Sequence, residues 1–169
     1  MSAVRQTQER PALSPGAIER IERETAKYPP GERQSAVMSA LAIAQDEHGW
    51  LPNHVMEAVA KVLRMPPVQV YEVATFYAMY NLKSPGKHKV VICTNLPCAL
   101  SGAVDAAEHL KRRLGIEFNE TTTDGGITLK EGECMGACGD APVLIVDNKR
   151  MCGFMSNDKL DALLEELKK

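Results

Sequence analysis

The chain has 169 residues, 44% of them hydrophobic, and a formal net charge of −2. That suits one folded domain of common size or two small ones, and it is too apolar for a disordered chain. Near-neutrality gives no basic surplus to draw nucleic acid or an anionic membrane, and 5% aromatic residues are too few for a base-stacking platform.

Residues 1–13 read as a flexible tail with no apolar stretch of the secretory type. Ser14 before Pro15 is a helix start, an N-cap followed by proline at the first helical position. The pattern predicts a helix over 15–28 with Ile18 and Ile21 on one face, stopped by Pro29 and Pro30. A second helix is predicted from Glu32 to His48, with Val37, Leu41 and Ala44 as its stripe and Gly49 at the closing position. A third, from Asn53 to Arg64, carries Val55, Val59 and Leu63. A fourth is predicted from Val68 to Tyr80, where Phe76, Tyr77 and Tyr80 gather. Packing is the plain reading of these aromatics; a face toward a partner, shared with the loop around Trp50, is the alternative.

The turn-rich stretch Asn81–Gly86 ends this helical part. After it the pattern predicts a strand at Lys89–Cys93, a helix from Leu100 to Leu114, a strand at Ile127–Cys134, a hairpin of Pro142–Asp147 with Arg150–Met155, and a helix at Asp158–Leu167. The expected fold class is therefore α+β. Residues 14–82 form a helical bundle, and residues 87–169 form a second domain of order β-α-β-β-β-α. No run reaches the ~18 apolar residues of a membrane span, so no direct membrane insertion is expected.

Five cysteines in a chain without a secretory signal do not suggest a disulfide framework. Cys93 and Cys98 form C-x4-C, and Cys134 and Cys138 form C-x3-C, each pair at a predicted strand end. Four thiolates in two pairs suit an iron–sulfur cluster, above all a [2Fe-2S] centre in which each iron takes two protein sulfurs. The stretch Gly132–Pro142 is rich in glycine and alanine, which leaves backbone N–H groups free to approach cluster sulfurs. A zinc-stabilised interaction module uses the same four residues and stays open, although zinc knuckles usually show C-x2-C. Thioredoxin chemistry needs C-x-x-C, and a plant-type ferredoxin needs a third cysteine in its run; neither is present. Cys152, inside the last predicted strand, reads as a packed thiol. The four histidines are scattered, and no nucleotide-binding glycine motif occurs.

The segments CTNLPC (93–98) and ECMGACGDAPV (133–143), behind helices that contain GWLP (49–52) and ATFYAMY (74–80), resemble one family over nearly the whole chain. It is the E-subunit family of bacterial NADH:quinone oxidoreductase, respiratory complex I. The resemblance implies that the second domain is a thioredoxin-like [2Fe-2S] ferredoxin domain, with Cys93, Cys98, Cys134 and Cys138 as iron ligands. It implies an oxidoreductase subunit with no complete active site of its own. FMN and NADH would be reached only through a partner flavoprotein, among other peripheral-arm subunits, on the cytoplasmic side and peripheral to the inner membrane. The same resemblance extends to diaphorase subunits of NAD-linked formate dehydrogenases and hydrogenases.

Overall fold

The computed structural model describes residues 11–169, so most of the expected tail lies outside the described residues. The chain divides into two compact units, one ending at Ser84 and the other running from Pro85 to Lys169. The secondary structure is mixed helix and sheet, as the α+β reading expects.

The first unit is helical. Helix α1 (Pro15–Thr25) starts where Ser14 Oγ accepts the N–H of Ala17. It ends earlier than the pattern suggests: Lys27 and Tyr28 bond back three residues rather than four, a tightened last turn ahead of two prolines. The second predicted helix divides into a 3₁₀ turn at Arg33–Ala36 and α2 (Val37–His48), closed by Gly49 at φ 79°. Helix α3 (Asn53–Leu63) follows as expected.

Helix α4 (Pro67–Phe76) stops four residues before Tyr80, with Tyr77 extended. Three bonds account for this. Tyr80 Oη donates to Met38 O (2.8 Å), the Asn81 N–H reaches Gln45 Oε1 (2.5 Å), and the Leu51 N–H reaches Asn81 O (2.8 Å). Continuing the helix would forfeit all three. The aromatic group therefore divides. Tyr80 is buried, whereas Phe76 is 80% exposed and Tyr77 lies edge-on to it. Ile21, Leu41, Leu51, Val55, Val59, Leu63 and Val70 form the centre of this unit's core.

The second unit is a five-stranded sheet of order β2-β3-β1-β4-β5. Strand β1 (His88–Cys93) leads into the short α5 (Leu96–Leu100) and then α6 (Ala103–Leu114). The helix expected from Leu100 thus starts at Ala103, after Gly102 at φ 92°, and the pattern does not predict the short α5 ahead of it. The chain returns through β2 (Glu120–Thr121), a strand that its pattern does not reveal, to β3 (Ile127–Gly132). Strand β3 runs parallel to β1 with Cys93 opposite Gly132. The hairpin of β4 (Leu144–Val146) and β5 (Arg150–Cys152) adds antiparallel to β1, and α7 (Asn157–Leu167) closes the chain.

Val90, Ile92, Leu129, Leu144 and Val146 share one core with Leu110 of α6 and Leu160, Leu163 and Leu164 of α7. Burying these side chains is the main stabilising term for the unit. Among the described residues no helix is long and apolar enough to cross a membrane.

Candidate metal centre

Because β1 and β3 are parallel neighbours in register, their C-terminal ends lie side by side. The two cysteine loops leave from those ends. The Cys93 N–H donates to Val143 O (3.0 Å) and the Thr94 N–H to Gly132 O (3.2 Å), so the sheet ladder continues into the first loop.

Cys93 is the last residue of β1, and Cys98 lies in the first turn of α5; both are buried. Asn95 caps the start of α5, its Oδ1 accepting the N–H of Leu96. Cys134 follows β3, and Cys138 opens a 3₁₀ turn, Cys138–Asp140; both are exposed. Between them Gly136 takes φ 75°. A residue with a Cβ adopts that conformation only under strain, so the glycine is what lets the loop fold back on itself. The two sulfurs then stand 3.6 Å apart.

A small apolar nest surrounds the buried pair. Cys93, Cys98, Ala103 and Val143 pack together, with Met135, Ala137 and Ala141 against them. Burial pushes the Cys98 thiol up, and its hydrogen bond with Cys93 adds to this; the Val143 backbone amide at its sulfur pulls the other way. The Cys138 thiol is also raised, first by its hydrogen bond to Cys134 and then by burial, with a smaller contribution from Cys93. The four thiols thus influence one another across the two loops.

Among the described residues no group of three or more His, Cys, Asp or Glu side chains is set to hold one metal ion. The sulfurs are arranged as two pairs. This donor set fits a two-iron group, one thiol pair to each iron. Backbone N–H groups at Val143 and Cys138 already lie against the sulfurs of Cys98 and Cys138, as such a group needs.

Cys152 is set apart from this site. It is half-buried against the sheet core, opposite Leu144 in the hairpin. Three of the four histidines hold structural bonds: His48 to Ala12 O, His88 to Asp147 and His109 to Asp161.

Sequence reasoning missed two features here. One is a rim of apolar side chains: Leu96 and Leu100 on the helix that carries Cys98, and Phe154, whose N–H donates to Asp140 O, are all exposed. The other is a set of polar pairs at the loop roots, Thr94 with Glu131 and Asn95 with Glu133. The pairs follow only from the register of β1 on β3.

The family model for the thioredoxin-like [2Fe-2S] ferredoxin matches residues 21–168. The E subunit of the NADH-quinone oxidoreductase of Rickettsia felis is 43% identical over 141 residues, covering 83% of this chain and 84% of that protein. The E subunit numbered 2 of the NADH-quinone oxidoreductase of Rhizobium meliloti is 45% identical over 150 residues, covering 89% and 88%. Among solved structures, a NAD⁺-reducing [NiFe]-hydrogenase in its H₂-reduced state aligns with TM-score 0.65 at 20% identity. It covers 76% of this chain, which spans only 22% of the hydrogenase chain.

Proposed function

We propose, since this chain belongs to the thioredoxin-like [2Fe-2S] ferredoxin family and within it to the E subunits of NADH-quinone oxidoreductase, that it is an electron-transfer protein of that complex holding one [2Fe-2S] cluster. Cys93 and Cys98 would hold one iron, and Cys134 and Cys138 the other. The observation that carries the reading is the arrival of two thiol pairs at adjoining ends of β1 and β3. The cluster, when bound, supplies a site that takes up and gives back one electron.

The chain's own residues do the rest. Val143 and its apolar neighbours keep water from the inner pair, Cys93 and Cys98. Low local polarity and backbone N–H groups at the sulfurs are the levers by which a protein sets a cluster's potential. The outer pair, Cys134 and Cys138, is exposed, which leaves the cluster's edge open to a partner.

The partner in this reading is a flavoprotein subunit that binds FMN and oxidises NADH. The complex keeps the chain peripheral to the membrane, beside other peripheral-arm subunits. Two things support the flavoprotein. The chain carries no nucleotide-binding glycine motif, so its electrons must come from elsewhere. The exposed Leu96, Leu100 and Phe154 flank both cysteine loops, an apolar patch of the kind that marks an interface. Relatives that are E subunits, at 43% and 45% identity, favour a quinone-reducing host over the hydrogenase, which is similar in fold at 20%. The family membership does not favour the zinc-stabilised module.

The test is anaerobic mixing of the cluster-loaded chain with the complex's flavoprotein subunit and NADH, followed through the cluster's visible absorption. Bleaching is expected only when all three are present. Bleaching by NADH without the flavoprotein, or none with it, contradicts the proposal.

A further inference from the structure

Two side-chain hydrogen bonds tie the start of the first cysteine loop to the end of β3 and to the start of the second loop. Thr94 Oγ1 donates to Glu131 Oε1 at 2.6 Å, and Asn95 Nδ2 donates to Glu133 Oε2 at 2.9 Å. Thr94 and Asn95 follow Cys93 directly, and Glu131 and Glu133 flank Gly132 just ahead of Cys134. In the register that sets Cys93 opposite Gly132, the Thr94 bond runs diagonally back to the end of strand β3 and the Asn95 bond crosses to the second loop. Asn95 serves two tasks: its Oδ1 caps α5, the helix that carries Cys98, while its amide nitrogen holds Glu133. Each donor is neutral and each acceptor is a carboxylate, the arrangement that gives stronger bonds than neutral pairs.

We propose that these four residues form a latch that sets the spacing of the two thiol pairs, with Asn95 and Glu133 as the principal positioning residues, and that the two carboxylates also tune the cluster's potential. This rests on the reading of the four cysteines as cluster ligands. A two-iron group requires both loops to be held at one separation, since each iron takes its thiols from one loop. Between Thr94 and Cys98 the first loop gains its order from α5, and the second loop turns at Gly136. The latch restrains the roots of both. It also fixes two negative charges next to the loops, and fixed negative charge near a cluster disfavours the reduced, more negative state.

The full chain carrying its cluster is the material for the test, with cluster loss to a chelator and the midpoint potential as readouts. Asn95→Asp keeps the helix cap but replaces the amide donor with a second carboxylate facing Glu133. Its cluster is expected to be lost about tenfold faster, as befits one charge-assisted bond. Glu133→Gln keeps an acceptor for Asn95 and removes only the charge. Its rate of loss rises less than that of N95D, since a neutral bond replaces a charge-assisted one, while its potential rises. The double variant N95D/E133Q reverses the direction of the bond, and its rate of loss returns toward that of the unmodified chain. Loss from N95D at the unmodified rate, or a double variant no better than N95D, overturns the latch. An unchanged potential in E133Q overturns the tuning role. An unmodified chain that holds zinc and no sulfide overturns the cluster reading itself, a failure distinct from either of these.

Discussion

Cys134 Sγ stands 3.6 Å from Cys138 Sγ because Gly136, midway between them, takes φ 75°. A Cβ at Gly136 would meet no other atom within 4 Å, so any cost of replacing it comes from the backbone alone. Gly136→Val should cost about 1–2 kcal/mol in the loop's cluster-ready form. Cluster content after identical anaerobic purification should fall, while the far-ultraviolet circular dichroism stays unchanged. Full cluster content in G136V would show that the left-handed turn is dispensable.

The cysteines divide into two classes. Cys93, Cys98, Cys134 and Cys138 share one neighbourhood, and Cys152 lies in the β5 edge against the sheet core. Serine at any of the four should remove or strongly perturb the visible absorption of the cluster. Cys152→Ala should leave that absorption intact and cost about 1 kcal/mol or less in urea unfolding, since the side chain is small and only half-buried. Equal spectral loss from C134S and C152A would refute the assignment.

Two buried groups give the chain opposite responses to alkaline pH. Burial holds Lys89 down to about 8 from an ordinary 10.5, with Lys130 nearby adding to this and Asp147 opposing it. The unfolded chain then binds more protons between about 8 and 10.5, so this group's contribution to stability rises with pH across that window. Burial pushes Tyr80 up to about 12 from 10.0. From about 10 upward the unfolded chain ionises first, so its contribution falls as pH rises from there toward 12. Lys89→Met should therefore raise stability at pH 7 by about 1–3 kcal/mol, and the gain should shrink as pH climbs past 8. Tyr80→Phe should cost about 1 kcal/mol at pH 7, because Met38 O loses its donor, and the cost should diminish above pH 10. Urea unfolding across this pH range checks both.

The apolar rim makes a prediction about assembly. Leu96, on the helix that carries Cys98, and Phe154, whose N–H donates to Asp140 O beside Cys138, are both exposed. Leu96→Asp together with Phe154→Asp should weaken binding to the flavoprotein subunit at least tenfold, as loss of interface anchors does, while the isolated chain keeps its fold and its cluster absorption. Undiminished co-purification of the double variant would place the interface elsewhere.

The position of the cysteine loops at strand ends was legible in the sequence because spacing and small neighbours are local properties. The helix start at Ser14 and the stop at Gly49 were legible for the same reason. What the sequence hid depends on partners far along the chain. Helix α4 ends at Phe76 because Tyr80 and Asn81 find bonding partners at Met38 and Gln45. Strand β2 is two exposed residues, Glu120 and Thr121, with no alternation to mark them and only β3 to define them. The pairs Thr94–Glu131 and Asn95–Glu133 span 37 and 38 residues and exist only once β1 and β3 are in register. Phe76 is the reverse case: an aromatic among aromatics reads as core, yet it lies on the surface because α4 ends there.

The most direct measurement is the metal and sulfide content of the anaerobically purified chain, joined to EPR after reduction. Two irons and two acid-labile sulfides per chain, with an EPR signal that appears on reduction and is absent from C134S, is the expected result. Zinc without sulfide, in a colourless and EPR-silent protein, would contradict the account at its centre.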